Sequence, residues 1–540
     1  MSMSNMQRFE FNLISILQHA SRWHGRQEVV TNSVEGGIHR TNYSEIYGRS
    51  QKLANALTKL GVQSGDRVGT MAWNTWRHLE CWYAISGMGA ICHTLNPRLS
   101  RQQLEFIVNH AGNNYIFVDA SFFGVLVNVL DKLPNLKGLV VLTDEAHMPD
   151  VSDVDIPVYS YETLLADEKP QFAWPEFNED SPSSLCYTSG TTGDPKGVLY
   201  THRSNILHAM TTGWADVFNV KPESVSLMIV PMFHANSWGL AFSVPMIGSK
   251  MVMPGPHMDG ESIHKLITQE EVTTSAAVPT VWTGLLQYLD ENKLTIPSLT
   301  ETVIGGAAVP RSMLQAFRDK YGVDVIHAWG MTEMSPLGSI NRPLTEMKDW
   351  DEKKLTDIRV KQGRPVYGID MKIVDDDGNE LAHNGQDFGR LLVKGPWVIE
   401  RYFKADSTAL DTEGWLDTGD IATIDEYGFM QITDRSKDLI KSGGEWMSSV
   451  DIENSAVAHP DLLIAACIGV EDPKWGERPL LVAVKKEDKE PCIDSIKQLI
   501  AKDHAKWQVP DDVIFIDQMP LTATGKIDKK VLRAEYSGNC

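Results

Sequence analysis

The segment Tyr187–Gly197, which reads YTSGTTGDPKG, combines the residue types that bind phosphate groups. Its glycines let the backbone turn tightly and approach a ligand, and its serine and threonine hydroxyls can donate hydrogen bonds to oxyanions. The segment is not a Walker A loop, because the pattern GxxxxGK[ST] is absent. A plain surface loop is the alternative, but the complete string favours a phosphate-binding loop. Its candidate residues are Thr188, Ser189, Gly190, Thr191, Thr192, Gly193 and Lys196.

Two further strings have the chemistry of a nucleotide site. In AWGMTE, residues 328–333, Glu333 offers a hard oxygen ligand for Mg²⁺ and Thr332 a hydroxyl for a phosphate. Trp329 offers a flat face on which a nucleobase can stack, with packing in the core as the alternative. In GGAAVP, residues 305–310, small residues leave room for a planar ring against the backbone.

Asp420 and Arg435 are candidates for binding a sugar. Asp420 lies in GWLDTGDIA, where its short carboxylate can accept hydrogen bonds from two ribose hydroxyls. Arg435, in DRSKDLIKSGGEW, can donate to the same ribose. An ion pair between the two at the surface is the alternative, and such pairs contribute little.

Lys526 and His234 depend on their surroundings for any interpretation. A lone lysine is typical of a solvated surface, and a lone histidine is more often structural than functional. No second histidine or cysteine stands near His234 with the spacing of metal ligands, so we expect no metal there. His234 lies in the string PMFHANSWG and Lys526 in PLTATGKIDKK, and these strings are the basis for assigning a role to each.

The composition excludes several classes of protein. Among 540 residues, 50 Lys and Arg face 71 Asp and Glu, which gives a net charge of −21. Such a balance argues against a nucleic-acid partner and against binding to an anionic membrane surface. With 42% hydrophobic and 22% charged residues, the chain is typical of globular proteins, and its length suits two or three domains.

The sequence also predicts a compartment. Six cysteines without CxxC pairs indicate neither a disulfide framework nor a zinc site, and they suit a reducing environment. The N-terminal residues predict an amphipathic helix with Phe11, Ile14, Ile16 and Leu17 on its apolar side, not a signal peptide. The longest apolar stretch, 462–470, is too short to cross a bilayer. We expect a cytoplasmic protein without membrane insertion.

Apolar strand-like runs alternate with helical patterns over most of the chain, which predicts an α/β architecture with largely parallel sheets. Examples are 66–73, 114–120, 136–143, 225–232 and 250–255, and a helix is predicted where Leu53, Leu57 and Leu60 recur. From about 369 short strands and turns, including the DDDG turn at 375–378, predict a β-rich subdomain. We expect a large N-terminal domain, 1–434, with this subdomain at 369–434, and a small mobile α+β domain at 435–540.

Seven motifs in order resemble the adenylate-forming superfamily of acyl-CoA synthetases, luciferases and peptide-synthetase adenylation domains. They are the phosphate-loop string and those at 231–239, 305–310, 328–333, 414–422, 434–446 and 520–530. The resemblance implies two steps: a carboxylic acid and Mg·ATP give an acyl adenylate and pyrophosphate, and coenzyme A then displaces AMP. In this family the C-terminal domain rotates between the steps. Trp329 is a mild departure, since many members have tyrosine there.

The resemblance assigns roles to individual residues. The catalytic residues would be Lys526, Glu333, Thr188 and His234, with Thr188 and Glu333 at the metal. ATP or AMP would be bound by Thr188, Ser189, Gly190, Thr191, Thr192, Gly193, Lys196, Gly305, Gly306, Ala307, Ala328, Trp329, Gly330, Met331, Thr332, Asp420, Ile432 and Arg435. The acyl pocket would be formed by His234, Trp238, Gly305, Gly306, Ala307, Trp329, Gly330, Met331 and Pro336. The hinge and the coenzyme A site would comprise Lys437, Asp438, Ser442, Gly443, Gly444, Glu445 and Trp446.

Several alternatives stay open at this stage. Either Lys437 or Asp438 is the hinge, and Lys474 or Arg478 is a guess from charge alone for the phosphates of coenzyme A. A peptide-synthetase domain is disfavoured, because Ala235 and Asn236 are neutral where an acidic residue would pair with an amino group. A luciferase-type oxygenase has the same adenylation motifs. Two kinds of ligase share the remaining strings, those for medium-chain fatty acids and those for 3-methylmercaptopropionate, and we favour the latter. We leave open whether the protein forms a homodimer.

Overall fold

A computed structural model of the chain describes residues 6–7, 9–188, 194–435, 438–442, 445–522 and 525–536. Its strands are β1 (Glu28–Asn32), β2 (Ile38–Asn42), β3 (Arg67–Met71), β4 (Ile91–Thr94), β5 (Asn113–Val118), β6 (Gly138–Val141), β7 (Val158–Ser160), β8 (Pro182–Thr188), β9 (Lys196–Thr201), β10 (Val225–Leu227), β11 (Lys250–Met253), β12 (Thr274–Ala277), β13 (Glu301–Ile304), β14 (Asp324–Gly330), β15 (Leu337–Ile340), β16 (Arg364–Pro365), β17 (Asp370–Val374), β18 (Phe388–Lys394), β19 (Leu416–Ile424), β20 (Met430–Arg435), β21 (Ile440–Ser442), β22 (Glu445–Met447), β23 (Leu462–Asp472), β24 (Gly476–Lys485) and β25 (Asp512–Phe515). Its α-helices are α1 (Ile14–Trp23), α2 (Tyr43–Lys59), α3 (Trp76–Gly87), α4 (Arg101–Ala111), α5 (Phe123–Val127), α6 (Tyr161–Ala166), α7 (His202–Gly213), α8 (Leu240–Ile247), α9 (Gly260–Gln269), α10 (Pro279–Asn292), α11 (Arg311–Tyr321), α12 (Glu352–Arg359), α13 (Ser449–Val457), α14 (Ile493–Ile500) and α15 (Lys529–Tyr536).

Two large sheets with helices between their strands form the first two-thirds of the described chain. One has the strand order β7-β6-β5-β3-β4-β8-β9 and is parallel except for the pair β8 and β9. The other has the order β16-β15-β14-β13-β12-β10-β11-β1-β2. It is parallel from β1 to β14 and antiparallel at both edges. The predicted α/β fold class is confirmed.

Two smaller sheets follow. Strands β17 to β20 form an antiparallel sheet, and β21 to β25 form a sheet that packs with α13, α14 and α15. The DDDG segment makes the predicted turn, in which the Gly378 N–H donates to Asp375 O at 3.1 Å. Strand β17 pairs, however, with β18, which begins ten residues after Gly378.

Two local predictions were wrong. The apolar run 225–232 is a strand only to Leu227, because the side chain of Asn74 satisfies the backbone beyond it. Asn74 Nδ2 donates to Met228 O at 2.6 Å and to Val230 O at 2.8 Å, where a neighbouring strand would otherwise bind. At the N-terminus, helix α1 begins at Ile14, so Phe11 precedes it.

None of the helices in the described part of the chain is both long and apolar enough to cross a membrane. Helix α2 follows the predicted apolar spacing: Leu53 and Leu57 are buried, and Leu60 caps the C-terminus of the helix. Asn42 caps its N-terminus by accepting a hydrogen bond from the Glu45 N–H at 3.0 Å. These features stabilise the helical layer on which the parallel strands rest.

Candidate active site

The carboxyl ends of β12, β13 and β14 open into a cavity of about 480 Å³. This is the edge at which parallel α/β sheets bind ligands, because the connections that leave the strands there can diverge. Of the residues that the sequence predicts for the site, the cavity is lined by Thr188, Lys196, His234, Trp238, Gly305, Gly306, Ala328, Trp329, Gly330, Met331, Thr332, Glu333, Pro336, Arg435 and Lys526. Phe218, Val278 and Leu337 add apolar surface that the sequence did not single out.

Trp329 and Arg435 hold the carboxylate of Asp420 between them. The indole Nε1–H of Trp329 donates to Asp420 Oδ2 at 3.0 Å, and Arg435 Nε lies 3.2 Å from Oδ1. Asp420 and Arg435 are direct partners across β19 and β20. Burial raises the pKa of Asp420, and Arg435 and the indole N–H oppose that shift. The ion pair between Asp420 and Arg435 therefore exists. It is not an ordinary surface pair, because only 5% of the Asp420 side chain is exposed.

A glycine makes room for the indole. A Cβ atom on Gly338, in the neighbouring strand β15, would collide with the six-membered ring of Trp329. The register of β14 and β15 also shifts between Trp329 and Gly330, which marks a bulge at the end of the strand. The wide indole thus reaches the cavity wall because the adjacent strand has no side chain at that point.

Glu333 is held by a tyrosine. The Tyr402 hydroxyl donates to Glu333 Oε1 at 2.8 Å, and the Lys196 ammonium lies 4.8 Å from the centre of the Tyr402 ring. The Tyr200 hydroxyl donates to Thr332 O at 2.7 Å and fixes the backbone beside Glu333. A carboxylate, a hydroxyl and a cation are therefore fixed at one end of the cavity. No local motif predicts the role of Tyr402, which lies 69 residues from Glu333.

His234 and Trp238 are presented by an uncommon turn. Four successive non-glycine residues, from Ala235 to Trp238, have φ between 42° and 56°, in the left-handed region. Such residues cost of order 1–3 kcal/mol each, so surrounding contacts must hold them. Ser237 Oγ donates to Val230 O at 2.7 Å, and Asn236 Nδ2 donates to Asn205 Oδ1 at 2.7 Å. The turn directs the Trp238 indole toward Gly305 and Gly306.

Lys526 reaches the cavity from the C-terminal sheet region. Its backbone N–H donates to Thr522 Oγ1 at 3.2 Å, and its carbonyl accepts from the Thr522 N–H at 2.7 Å, which closes a tight loop. Desolvation and the nearby Arg435 lower the pKa of Lys526 to about 8, against the opposing effect of Asp420 and Glu333. Desolvation and the nearby Lys526 lower the pKa of His234 to about 4, so its imidazole is neutral at pH 7.

A second cavity of about 290 Å³ lies beside the first, between the large sheets and the C-terminal part of the chain. Ala307, Asp420, Ile432 and Asp438 line this cavity, and Ala307 and Ile432 do not line the first one. His327 also lines it, although the sequence analysis missed this residue. Its Nδ1 contacts Val360 O at 2.9 Å, and its buried Nε2 has no partner in the described structure. Because a carbonyl only accepts, Nδ1 carries the proton and Nε2 is a buried acceptor.

Of the described residues predicted for the hinge and the coenzyme A site, Asp438 lines the second cavity and Ser442 lines neither. Ser442 is buried in β21 and accepts from Arg478 Nη1 at 3.3 Å. Asp438 is paired with Arg533 at 2.6 Å. Ser189, Gly190, Thr191, Thr192, Gly193, Lys437, Gly443 and Gly444 lie outside the described residues, as do the side chains of Glu445 and Trp446.

Arg478 cannot offer free donors to a phosphate in this arrangement. Its five N–H groups face Asp511, Val509 O, Trp507 O and Ser442. The pairing with Asp511 is bidentate, with both distances at 2.7 Å. The sequence-based guess of Arg478 as a phosphate ligand is therefore not supported, whereas Lys474 is exposed and its ammonium lies over the ring of Trp475.

The family model described as AMP-binding enzyme matches residues 17–403 of this chain. The model described as AMP-binding enzyme C-terminal domain matches residues 451–526. The chain belongs to the AMP-binding enzyme family. This membership confirms the assignment to the adenylate-forming superfamily that the seven motifs predicted.

Relatives and solved structures agree with this membership over the whole chain. A 3-methylmercaptopropionyl-CoA ligase of Ruegeria lacuscaerulensis is 48% identical over 524 residues, which cover 97% of this chain and 96% of the relative. A medium-chain-fatty-acid–CoA ligase of Ectopseudomonas oleovorans is 45% identical over 535 residues, covering 99% and 97%. The crystal structure of an anthranilate CoA ligase with anthranoyl-AMP shares the fold of this AMP-binding enzyme, with a TM-score of 0.87, 24% identity and 98% coverage of both chains.

Proposed function

We propose that the protein is an ATP-dependent acid–thiol ligase that converts a short or medium aliphatic or thioether carboxylic acid to its coenzyme A thioester. One observation carries the proposal. A single cavity joins a polar end at Thr188, Lys196 and Glu333 to an apolar wall at Trp238 and Leu337, and Lys526 enters it. Family membership and two relatives that are acyl-CoA ligases support the same reaction.

The adenosine of ATP would occupy the side formed by Trp329, Asp420 and His327. The indole offers a stacking face, and the oxygens of Asp420 retain acceptor positions for ribose hydroxyls beyond those used by Trp329 and Arg435. Each of these groups is a wall of one of the two adjoining cavities.

In the first half-reaction, a carboxylate oxygen of the acid forms a bond to the α-phosphorus as the bond to pyrophosphate breaks. Both partners are anions, so a cation between them relieves repulsion and stabilises charge on the transferring group. Lys526 fits this role, because its side chain lies against Gly306 beside Trp238, between the polar and apolar parts of the cavity. Its lowered pKa reflects desolvation of the ammonium within the site, which bound anions would compensate.

The polar end of the cavity fits a magnesium ion. Glu333 and Thr188 provide a carboxylate and a hydroxyl, and Tyr402 fixes the carboxylate. Mg²⁺ commonly keeps several waters and is bound through one or two carboxylates plus substrate phosphates. When bound, Mg²⁺ would neutralise phosphate charge; the chain's own part is to orient Glu333 and place Lys196 beside it.

In the second half-reaction, the sulfur of coenzyme A bonds to the acyl carbon, AMP leaves, and the thiol proton is released. His234 is neutral at pH 7 and could accept only weakly, given its pKa of about 4. Ser442, predicted for coenzyme A, is buried against Arg478 and does not line the cavity, whereas Lys526 does. We therefore interpret the structure as the adenylating orientation, with a rotation near Arg435–Asp438 required before thioester formation.

We propose 3-methylmercaptopropionate as the preferred acid. The apolar wall holds no charged group that would pair with an amino acid, and the Trp238 ring offers a thioether sulfur an aromatic contact worth roughly 0.3–1.5 kcal/mol. The relatives, at 48% and 45% identity, include a ligase for this acid and one for medium-chain fatty acids.

A panel of acids tests the proposal. The full-length protein is incubated with Mg·ATP, with or without coenzyme A, and with 3-methylmercaptopropionate or straight-chain acids from acetate to dodecanoate. AMP, pyrophosphate and the thioester are quantified by mass spectrometry. We expect AMP release that requires both acid and coenzyme A. Absence of thioester with every acid would refute the ligase assignment, and a kcat/KM optimum at octanoate or beyond would refute the preferred substrate alone.

A further inference from the structure

Trp329 and Asp420 are joined by a buried hydrogen bond although they lie 91 residues apart on different sheets. Trp329 is at the end of β14 in the nine-stranded sheet, and Asp420 is on β19 in the four-stranded sheet. The indole Nε1–H donates to Asp420 Oδ2 at 3.0 Å, while Arg435 Nε lies 3.2 Å from Oδ1. Each carboxylate oxygen therefore has a protein contact of its own, a hydrogen bond at Oδ2 and an ion pair at Oδ1.

This arrangement fixes the direction of a short carboxylate. The backbone of Asp420 is held by its N–H, which donates to Thr418 Oγ1 at 3.1 Å. The side chain can still rotate about two bonds, and the two donors remove that freedom. Arg435 alone would not suffice, because 44% of its side chain is exposed and an exposed guanidinium is easily displaced. The Trp329 donor is buried and comes from a rigid strand end.

Each carboxylate oxygen accepts two hydrogen bonds, so one acceptor position on each remains after the protein donors are counted. These two positions match the two neighbouring hydroxyls of a ribose. A phenylalanine or tyrosine at position 329 would keep an aromatic face for the base but would have no donor where the indole N–H lies. The hydrogen bond from the indole N–H to Asp420 can therefore be tested separately from the stacking of the base on the aromatic ring.

We infer that Trp329 is a specificity-determining residue for the ribose: through its N–H it positions Asp420, so that the enzyme selects ribonucleotides over 2′-deoxyribonucleotides. The inference rests on the proposed role of Asp420 at the ribose. Trp329 acts here as a positioning residue, in addition to any stacking on the base. A 2′-deoxyribonucleotide lacks the hydroxyl that would donate to the Asp420 carboxylate. The selection of ribonucleotides therefore depends on how precisely Trp329 orients that carboxylate.

Equilibrium binding of AMP and 2′-deoxy-AMP to the full-length protein, measured by calorimetry, tests this inference without any chemical step. We expect wild type to prefer AMP, and Trp329→Phe to reduce that preference roughly tenfold, which is the low end for one hydrogen bond to a charged group. The loss should fall on AMP, with 2′-deoxy-AMP binding little changed. Trp329→Tyr, whose only donor is the hydroxyl at the tip of its ring and not at the position of the indole N–H, should give the same result and serves if the phenylalanine variant does not fold.

The Asp420→Asn variant distinguishes the proposed ribose role of Asp420 from the inferred positioning role of Trp329. If it leaves the preference for AMP unchanged, the ribose role of Asp420 fails and the inference fails with it. If it abolishes the preference while Trp329→Phe weakens both nucleotides equally, Asp420 binds ribose but Trp329 acts only through its ring, which overturns the inference alone. In the Asp420→Asn background, Trp329→Phe should change the preference no further. A further change in the double variant would also overturn it.

Discussion

Lys526 and Trp238 approach the same point from opposite parts of the chain: Lys526 Cε and Trp238 Cζ2 would each lie 3.7 Å from a Cβ atom on Gly306. Gly306 has φ of +80°, a conformation that favours glycine, and it separates the charged end of the lysine from the apolar wall. The reacting carboxylate of an acid held along Trp238 would consequently meet the ammonium at this glycine.

Lys526→Ala should abolish adenylation selectively. The ammonium acts on charge that develops only in the first transition state, so we expect pyrophosphate release to fall about 100- to 1,000-fold. Thioester formation from a supplied acyl adenylate should stay within about threefold of wild type. Both rates are measured by quenched flow. Equal losses in the two steps, or a lowered melting temperature, would indicate a structural role for the lysine.

The rate of adenylation should decline at alkaline pH. Lys526 must be protonated to act, and its pKa of about 8 in the free enzyme means that kcat/KM falls as pH rises through that value. Bound ATP adds negative charge, so the decline in kcat should lie at higher pH. Lys526→Arg retains its charge and should lose the decline in kcat/KM. His234, with a pKa of about 4, does not titrate between pH 6 and 9. An unchanged decline in the arginine variant would assign it to another group.

Trp238→Ala should lengthen the preferred acid. Removing the indole opens the apolar end of the cavity, and each added buried methylene should then contribute about 0.8 kcal/mol until the space is filled. The measurement is kcat/KM over a chain-length series, with thermal melts of both proteins. If Trp238 is ordinary core, truncation would instead destabilise the fold by roughly 3–5 kcal/mol. If the folded variant keeps the wild-type optimum of acid chain length, then Pro336 or Ala307, and not Trp238, limits that length.

Ser449→Ala should bias the protein against the adenylating orientation. Asp434, on β20 before the proposed hinge, accepts from the Ser449 N–H at 2.8 Å and from its Oγ at 2.5 Å, and Ser449 begins α13 beyond the hinge. Losing the hydroxyl should weaken this contact by about 1–2 kcal/mol and slow pyrophosphate release by up to about tenfold, without slowing thioester formation.

The matched control for that change is Ser455→Ala. Ser455 lies on the same helix, and its Oγ contacts His504 Nε2 at 2.9 Å, within the C-terminal part of the chain. Its removal should leave the ratio of the two half-reaction rates unchanged. If both serine variants shift that ratio alike, the Asp434 contact does not select an orientation.

The sequence predicted those parts of the site whose signal is local. The strings around Glu333, Gly305 and Lys526 each contain their own chemistry, and the structure brings all three to one cavity. The parallel strands could also be predicted, because β3, β5 and β6 are short apolar runs bounded by turns.

The features that were missed depend on contacts between distant residues. Nothing near His327 or Tyr402 indicates that one would present an unpartnered acceptor and the other would hold Glu333. The premature end of β10 follows from Asn74, more than 150 residues earlier in the chain. Such contacts are set by tertiary packing, which local periodicity does not encode.

The left-handed turn at Ala235–Trp238 implies that the acyl pocket has determinants that never touch the acid. L-amino acids resist this handedness, so the position of the Trp238 ring depends on Asn205 and on the Val230 carbonyl, which hold the turn in place. Substitutions of the residues that hold the turn, such as Asn205, would allow a right-handed backbone conformation. The indole of Trp238 would then move although no residue lining the pocket had changed. Relatives with identical pocket linings could therefore diverge in the acids they accept, and an alignment restricted to pocket positions would not reveal why.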